Sequence, residues 1–273
     1  MAYMESRWQS KDKRFLIVKK YHAQKSMPQK PAIKERRAPR SNQTTESQEE
    51  INRKRRAEKL TMDIGDNFKP GDWYVTLTYG GGPGPDKTTV PGDIKKFMGK
   101  LRRRFKKKEV EFRWIRVIEN LTGRGRPHGH LLIPAEFAGF AELQQIIARI
   151  WPHGHARIEP FGGKLMDAVR MANYFSKEKI TAAGSGHISS SRNLIRREPV
   201  KKRINRAETY RDEIKAPNGY EIIKALSFNG WTREGYPCQR IVCEKIERMN
   251  ANGKKRSVEA GGTGKNRKRT RQA

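Results

Sequence analysis

Two short apolar segments on either side of a glycine-containing turn constrain the fold of this chain more than any other feature. They are EVEFRWIRVIEN (residues 109–120) and HGHLLIP (residues 128–134), and LTGRGRP joins them. Both segments are rich in β-branched and apolar residues, as strands are, and the glycines between them permit a reversal of the chain. The sequence therefore predicts a β-hairpin, and with it a sheet in which neighbouring strands run antiparallel.

Helical and extended patterns alternate around this hairpin. A further strand is predicted over residues 72–79 (DWYVTLTY) and a short one over residues 155–161. Helices are predicted over residues 45–60, 94–108, 135–151 and 164–179. The resulting order, αβαββαβα, favours an α+β fold whose helices pack on an antiparallel sheet.

The charge of the chain indicates its binding partner. The sequence has 60 Lys and Arg residues against 29 Asp and Glu residues among 273, which gives a formal net charge of +31. Such a chain repels itself unless a polyanion neutralises it, so we expect it to bind nucleic acid. There is no run of 18 apolar residues, and the apolar stretch FLIV near the N-terminus is too short for a signal peptide. We therefore expect no membrane partner and a location in the cytoplasm.

Composition also predicts the domain layout. Residues 1–43 carry 12 basic and three acidic side chains and few large apolar ones, which predicts a basic mobile arm. A folded domain is expected over residues 44–215, followed by a small β-rich extension over residues 216–250. Residues 251–273, with many basic residues and glycines, are expected to form a disordered tail.

The tetrapeptide PHGH occurs twice, and the first copy offers candidate metal ligands. Residues i and i+2 of a strand point to the same side, so His128 and His130 share one face. In the antiparallel hairpin Glu119 lies opposite one of the two, and in either register it is on their face. Two imidazoles and a carboxylate suit Mg²⁺ or Mn²⁺, although the same ligand types also hold ferrous iron in oxygenases. The second copy, with His153 and His155, directly follows a helix and has no acidic strand neighbour, so we expect no metal there.

The helix over residues 164–179 carries a candidate nucleophile. Tyr174 and Lys177 in NYFSKEK are one turn apart. Tyr174 projects nearly opposite the apolar stripe of this helix, whereas a tyrosine that served only the core would lie on the stripe. A phenol with a pKa of about 10 is a poor nucleophile at neutral pH, so a neighbouring cation is useful. Lys177 and a metal ion are the two candidates. The stripe consists of Leu165, Val169, Ala172 and Phe175.

Basic side chains cover the outer surface of the helix over residues 94–108, whose other face is apolar. A surface of this kind binds phosphates without regard to sequence and with strong salt dependence. A later segment, SRNLIRREP, is also basic. We predict DNA contacts from Lys100, Arg102, Arg103, Arg104, Lys106 and Arg192.

The motifs together resemble the HUH endonucleases, in particular the rolling-circle replication initiators of small plasmids and phages. Three pieces stand in the family's order: WYVTLTY, then RVIEN with GRPHGHLLI, then YFSK. The resemblance covers about residues 45–200. It implies a ferredoxin-like or RRM-like antiparallel sheet of about five strands, with the histidine pair on a central strand and the tyrosine on a helix packed against the sheet.

The same resemblance implies a role for each site residue. Glu119, His128 and His130 would bind Mn²⁺ or Mg²⁺, Tyr174 would be the nucleophile, and Lys177 would assist it. Residues 44–215 would then form the HUH endonuclease domain.

The activity implied is the nicking of single-stranded or cruciform origin DNA in a bacterial host. It yields a 5′-phosphotyrosyl link and a free 3′-OH that primes rolling-circle replication. Many phage-type members carry two tyrosines a turn apart, whereas Arg170 stands a turn before Tyr174, so we expect a one-tyrosine enzyme. No ATP-binding loop of the form GxxxxGK[ST] is present. A host helicase and a DNA polymerase would therefore be partners, and no small-molecule substrate is expected.

Three other functions fit part of this pattern. A relaxase or a transposase would perform the same nicking step. A cupin-like metal oxygenase would use His128, His130 and Glu136, but it would leave the charge of the chain without a role. In a non-catalytic, basic nucleic-acid-binding protein, Tyr174 would have no chemical function.

Overall fold

The fold is α+β, as predicted, with four α-helices and two larger antiparallel sheets among the described residues. The computed structural model describes residues 2–23, 46–81, 84–121, 125–176, 188–204, 214–232, 235–246, 248–249 and 255–256. The helices are α1 (Glu46–Asn67), α2 (Val90–Lys107), α3 (Phe140–Ile150) and α4 (Leu165–Phe175). The strands of the two sheets are β1 (Ala2–Gln9), β2 (Phe15–Ala23), β3 (Trp73–Thr78), β4 (Ile115–Glu119), β5 (His128–Ile133), β6 (Ala156–Pro160), β7 (Ile188–Ser190), β8 (Val200–Ile204), β9 (Tyr220–Ile222), β10 (Phe228–Trp231) and β11 (Pro237–Lys245).

The predicted hairpin lies inside a five-stranded sheet. Its strand order is β6-β3-β5-β4-β7, and each neighbouring pair runs antiparallel. The hairpin strands β4 and β5 pair directly, so the predicted reversal is confirmed. The histidine strand β5 is central in this sheet, with β3 on its other side.

Helices cover both faces of this sheet, because its strands alternate between two sets of buried apolar side chains. One set, from β3 and β5, packs with α2 and α3 and includes Val75, Leu77, Leu131 and Ile133. The other set packs with α1 and α4 and includes Ile115, Val117 and Leu132. The face under α1 and α4 is the one that carries the candidate site.

α2 illustrates how sequence pattern and packing agree. Its apolar stripe is buried, with Phe105 fully inaccessible, while its basic residues stay exposed. Pro91 lies in the first turn, where its missing N–H costs nothing. Asp93 in the first turn and the basic residues in the last turn suit the helix dipole.

The second sheet differs from expectation. Its order is β10-β11-β2-β1-β8, and β9 pairs with the same β11. The mobile arm predicted for residues 1–43 is therefore wrong for residues 2–23, which form β1 and β2. Trp8 and Phe15 are buried in this sheet, as is the FLIV stretch. The strand partner of β2 is β11, more than 200 residues away, so local composition did not reveal it.

Two other predicted segments lie outside the described residues for most of their length. Residues 24–43 of the arm are one of them. Of the tail over residues 251–273, the structure describes Lys255–Arg256, which pair with Arg248–Met249. None of the described helices combines the length and the apolar character needed to cross a bilayer.

Candidate active site

The hairpin register brings a carboxylate against two imidazoles. Glu119 pairs with His128 across β4 and β5, while His130 pairs with Val117. All three polar side chains lie on the sheet face under α1 and α4, because they alternate with residues that face α2. Nε2 of His128 is 3.1 Å from one carboxylate oxygen of Glu119, and Nε2 of His130 is 3.7 Å from the other. The ligand atoms of the three residues lie within 4.8 Å of one another.

The glycine between the two histidines is required by packing on the opposite face. A Cβ at Gly129 would lie 2.9 Å from Cδ1 of Ile94 in α2. The HGH spelling therefore presents two ligands on one side of β5 while it leaves room for a helix on the other.

Contacts behind the imidazoles orient them toward the carboxylate. Nδ1 of His128 lies 3.1 Å from the backbone oxygen of Arg126, which can only accept, so a neutral ring carries its hydrogen on Nδ1. Nδ1 of His130 lies 2.7 Å from the hydroxyl of Tyr74 and 3.2 Å from that of Thr76. Such outer contacts fix ring orientation in metal sites. Both Nε2 atoms thus point at Glu119.

This arrangement fits a divalent cation. His130 is 5% exposed, and its Nε2 has no hydrogen-bond partner among the described residues. Lone pairs on Nε2 atoms and carboxylate oxygens repel each other unless a cation lies among them. A set of two nitrogens and a carboxylate accepts Mn²⁺ or Mg²⁺ as well as softer divalent ions.

The carboxylate is held in its charged form. Burial by itself would raise the pKa of Glu119, but hydrogen bonds from His128, His130 and Tyr174 outweigh burial and lower this pKa to about 2. Glu119 is therefore ionised at neutral pH, as a metal ligand must be.

α4 delivers the tyrosine to this cluster. Leu165, Ala168, Ala172 and Phe175 form its buried stripe, and Tyr174, off that stripe, is 44% exposed. The hydroxyl of Tyr174 donates a hydrogen bond of 2.9 Å to a carboxylate oxygen of Glu119. The rings of His130 and Tyr174 are 5.6 Å apart, edge to face. Lys177, the predicted companion of Tyr174, lies outside the described residues.

A largely apolar groove of about 470 Å³ opens beside the tyrosine, between β6 and α4. The ring of Tyr174 forms part of its wall, and Arg170 places a cation there. The other lining residues are Tyr74, Glu159, Pro160, Phe161, Gly162, Asp167 and Met171.

The second PHGH copy has a structural position. The backbone oxygens of His153 and His155 accept hydrogen bonds from Gly80 (2.9 Å) and Thr78 (2.8 Å), which attaches this turn to the end of β3. Within the described part of the chain, neither histidine joins a group of three metal-ligating side chains. Gly154 lies so close to β3 that a Cβ would overlap Gly80 and Thr78.

Two further predicted groups lie away from the metal ligands. Glu136, the third ligand of the oxygenase alternative, pairs instead with Lys69 at 2.6 Å and with Arg113. The predicted oxygenase site is therefore wrong. The basic surface of α2 lies across the sheet from Tyr174, and Arg192 is exposed just after the edge strand β7. The exposed α2 residues are Lys100, Arg102, Arg103, Arg104 and Lys106.

Sequence reasoning missed Tyr74 and Thr76, which contact His130 from β3. Their spacing of two did place them on one face of that strand. The missing information was that β3 is the neighbour of β5, with Thr76 opposite His130, because strand order in space is not written in local sequence.

Comparison with known proteins agrees with this geometry. A search of curated proteins finds no match. Residues 72–179 match the family model of the replication-associated protein ORF2. The matched segment contains Glu119, His128, His130 and Tyr174, and it supports a role for this chain as a replication initiator.

Proposed function

We propose that this protein is an HUH-type replication initiator that nicks single-stranded or opened origin DNA through Tyr174. The observation that carries the proposal is the hydrogen bond from the hydroxyl of Tyr174 to Glu119, within a cluster that can hold a metal. The match to the replication-associated family and the charge of +31 support DNA as the substrate.

Glu119, His128 and His130 are the residues that would hold Mn²⁺ or Mg²⁺. When bound, the ion would coordinate a non-bridging phosphate oxygen and offset the charge that develops during attack. Tyr74 and Thr76 hold the ring of His130, and Arg126 holds that of His128, so the ligands are oriented before DNA arrives.

Glu119 positions the nucleophile but is a weak base. Its pKa of about 2 is far below that of a phenol, so it accepts a hydrogen bond without removing the proton. The hydrogen bond directs the Tyr174 oxygen toward the metal-facing side of the cluster.

The proposed step exchanges one phosphodiester bond for another. The oxygen of Tyr174 forms a bond to phosphorus, the bond to the 3′ oxygen breaks, and the phenol proton is balanced by the proton gained at the new 3′-OH. Since the number of phosphoester bonds is unchanged, the step needs no ATP and is reversible. A host polymerase would extend the 3′-OH and a host helicase would unwind the duplex. A relaxase or a transposase would share this chemistry.

A covalent-capture assay tests the proposal. The protein is incubated with Mn²⁺ and a labelled, randomised pool of single-stranded DNA, then denatured and separated by electrophoresis. We expect a labelled adduct that disappears in Tyr174→Phe and on chelation of the metal. Tyr79→Phe is the matched control, because its hydroxyl contacts Asp93 on the other side of the sheet. An adduct that persists in Tyr174→Phe would refute the assignment, and no adduct with any DNA would favour a non-catalytic binding protein.

A further inference from the structure

We propose that a cleft between α1 and the second sheet is a binding site for a single DNA strand, separate from the metal cluster. The cleft has a volume of about 780 Å³, and none of Glu119, His128, His130 and Tyr174 lines it. The choice of DNA over RNA rests on the proposed function, whereas the cleft itself rests on the side chains described next.

The lining of the cleft is strongly basic. Eight cationic side chains stand against three carboxylates, which leaves an excess of five positive charges. The cations come from three walls: the sheet, α1 and the segment that leads into β8. They are Lys19, Lys20, Arg55, Lys59, Arg196, Arg197, Lys201 and Arg240, and the carboxylates are Glu58, Asp63 and Glu198. A concave surface with this imbalance concentrates a polyanion.

Two of the carboxylates anchor the walls. Glu58 of α1 contacts Lys19 of β2 and lies 3.4 Å from Arg240 of β11, so it bridges helix and sheet. Asp63 lies 3.7 Å from Arg196 and is largely covered. Arg55 and Lys201 are exposed at opposite walls, where they can reach phosphates on an entering strand.

Aromatic side chains accompany these cations. Phe228 on β10 is 51% exposed, although an apolar ring on a strand is ordinarily covered. It pairs with Arg240 across β10 and β11, so both side chains face the cleft. Tyr21 of β2 also lines it. A basic groove with exposed rings on which bases stack is the arrangement by which proteins hold unpaired strands.

The shape of the site favours a single strand over a duplex. Proteins that read duplex DNA insert a protruding helix or β-ribbon into a groove. Here the basic side chains line a recess between a helix and a sheet, so the nucleic acid must enter the protein. An unpaired strand has the flexibility and the free base faces that this requires.

The test compares charge reversal inside the cleft with the same change outside it. All proteins carry Tyr174→Phe and are kept in EDTA, so that no covalent capture contributes. Fluorescence anisotropy then measures the affinity for an oligo-dT probe of about 20 nucleotides at several salt concentrations. The cleft variant is Arg55→Glu/Lys201→Glu, and the control, with the same charge change, is Lys11→Glu/Lys224→Glu at exposed positions outside the cleft. Thermal unfolding checks that each variant is folded.

We expect the cleft variant to bind at least about tenfold more weakly than the control, with a salt slope smaller in magnitude by about 1.4. Phe228→Ala should lose about tenfold with an unchanged salt slope, because it removes stacking and no charge. Equal losses in cleft variant and control would overturn the site. Tighter binding of a matched duplex would overturn the single-strand assignment, and tighter binding of oligo-rU would overturn the assignment to DNA.

A second readout separates this proposal from the proposed function. The cleft variant, with Tyr174 restored, is assayed for covalent capture of a short DNA at saturating concentration. Retained capture together with unchanged anisotropy would refute the cleft and leave the nicking proposal intact. Absence of capture in the otherwise unchanged protein, with cleft-dependent anisotropy, would do the reverse.

Discussion

Tyr74 and Thr76 hold the ring of His130 from the side opposite the metal ligands. Removing the nearer hydroxyl frees the imidazole to rotate and leaves Nδ1 less well satisfied. We expect Tyr74→Phe to weaken Mn²⁺ binding by about tenfold or more, as loss of an outer contact does in other metal sites. Calorimetric titration of the DNA-free protein with Mn²⁺ measures this without reference to activity.

Tyr79→Phe is the control for that titration, since its ring packs in the core on the other face of the sheet. An affinity for Mn²⁺ that is the same in Tyr74→Phe and Tyr79→Phe would show that the contact to His130 does not orient a ligand.

The site residues could be predicted only as far as local periodicity reaches. A period of two puts His128 and His130 on one face, and an antiparallel turn of fixed length puts Glu119 there too, so these three followed from the hairpin alone. The approach of Tyr174 depends on how α4 lies across the sheet. That packing is set by contacts between elements far apart in sequence, so its hydrogen bond to Glu119 was not predictable.

Among the connecting segments, the turn between α3 and β6 is the most tightly packed against its neighbour. Gly154 approaches the end of β3 so closely that any side chain would overlap backbone atoms of Gly80 and Thr78. We expect Gly154→Ala to lower the free energy of unfolding by about 1–3 kcal/mol, because backbone cannot move aside as a flexible side chain can. Urea unfolding measures the change.

Gly99→Ala provides the opposite case. Gly99 lies inside α2 with nothing within 4 Å of a Cβ, so alanine should stabilise the protein by about 1 kcal/mol through helix propensity. If Gly154→Ala proved as harmless as this, the close approach of the second PHGH turn to β3 would be wrong.

At the level of elements, predictions succeeded where a segment states its own pattern. The apolar stripe of α2 and the alternation in β3 are complete within their own residues. β1 and β2 were missed because their surroundings are polar and their strand partners, β8 and β11, come from the other end of the chain. α1 runs past its predicted end because Ile64 and the residues around it extend its buried face.

Across the whole molecule, Asp63 gives folding a recognisable pH dependence. Burial raises the pKa of Asp63 to about 6 from 3.8, although Arg196 and Lys59 act to lower it. The folded protein therefore holds this proton more tightly than the unfolded chain, and stability falls as the pH rises from about 4 to about 6. The cost of ionising Asp63 reaches up to about 3 kcal/mol.

Asp63→Asn removes this cost, so the variant should gain stability relative to the unchanged protein as the pH rises through that window. Urea unfolding at pH values on either side of it measures the difference. Asp86→Asn should show the opposite trend, because hydrogen bonds from Thr88 lower the pKa of Asp86. A difference for Asp63→Asn that does not vary with pH would contradict the burial described for this carboxyl group.

The two sheets divide the proposed work of the molecule. The five-stranded sheet carries the metal ligands and supports the tyrosine, and the second sheet, assembled from both ends of the chain, forms a basic cleft with α1. The net charge predicted a nucleic-acid partner for the whole chain. It did not predict this division, because the location of a charge depends on which distant strands pair.

The covalent bond to Tyr174 is the central claim, and peptide mapping tests it most directly. The protein is reacted with Mn²⁺ and single-stranded DNA, digested with nuclease and trypsin, and examined by mass spectrometry. Cleavage after Arg170 and Lys177 yields residues 171–177, with Tyr174 as the only tyrosine in that peptide. We predict that this peptide carries a nucleotide on Tyr174. A nucleotide on a peptide that contains Tyr74, or on any other residue, with residues 171–177 unmodified, would contradict the mechanism.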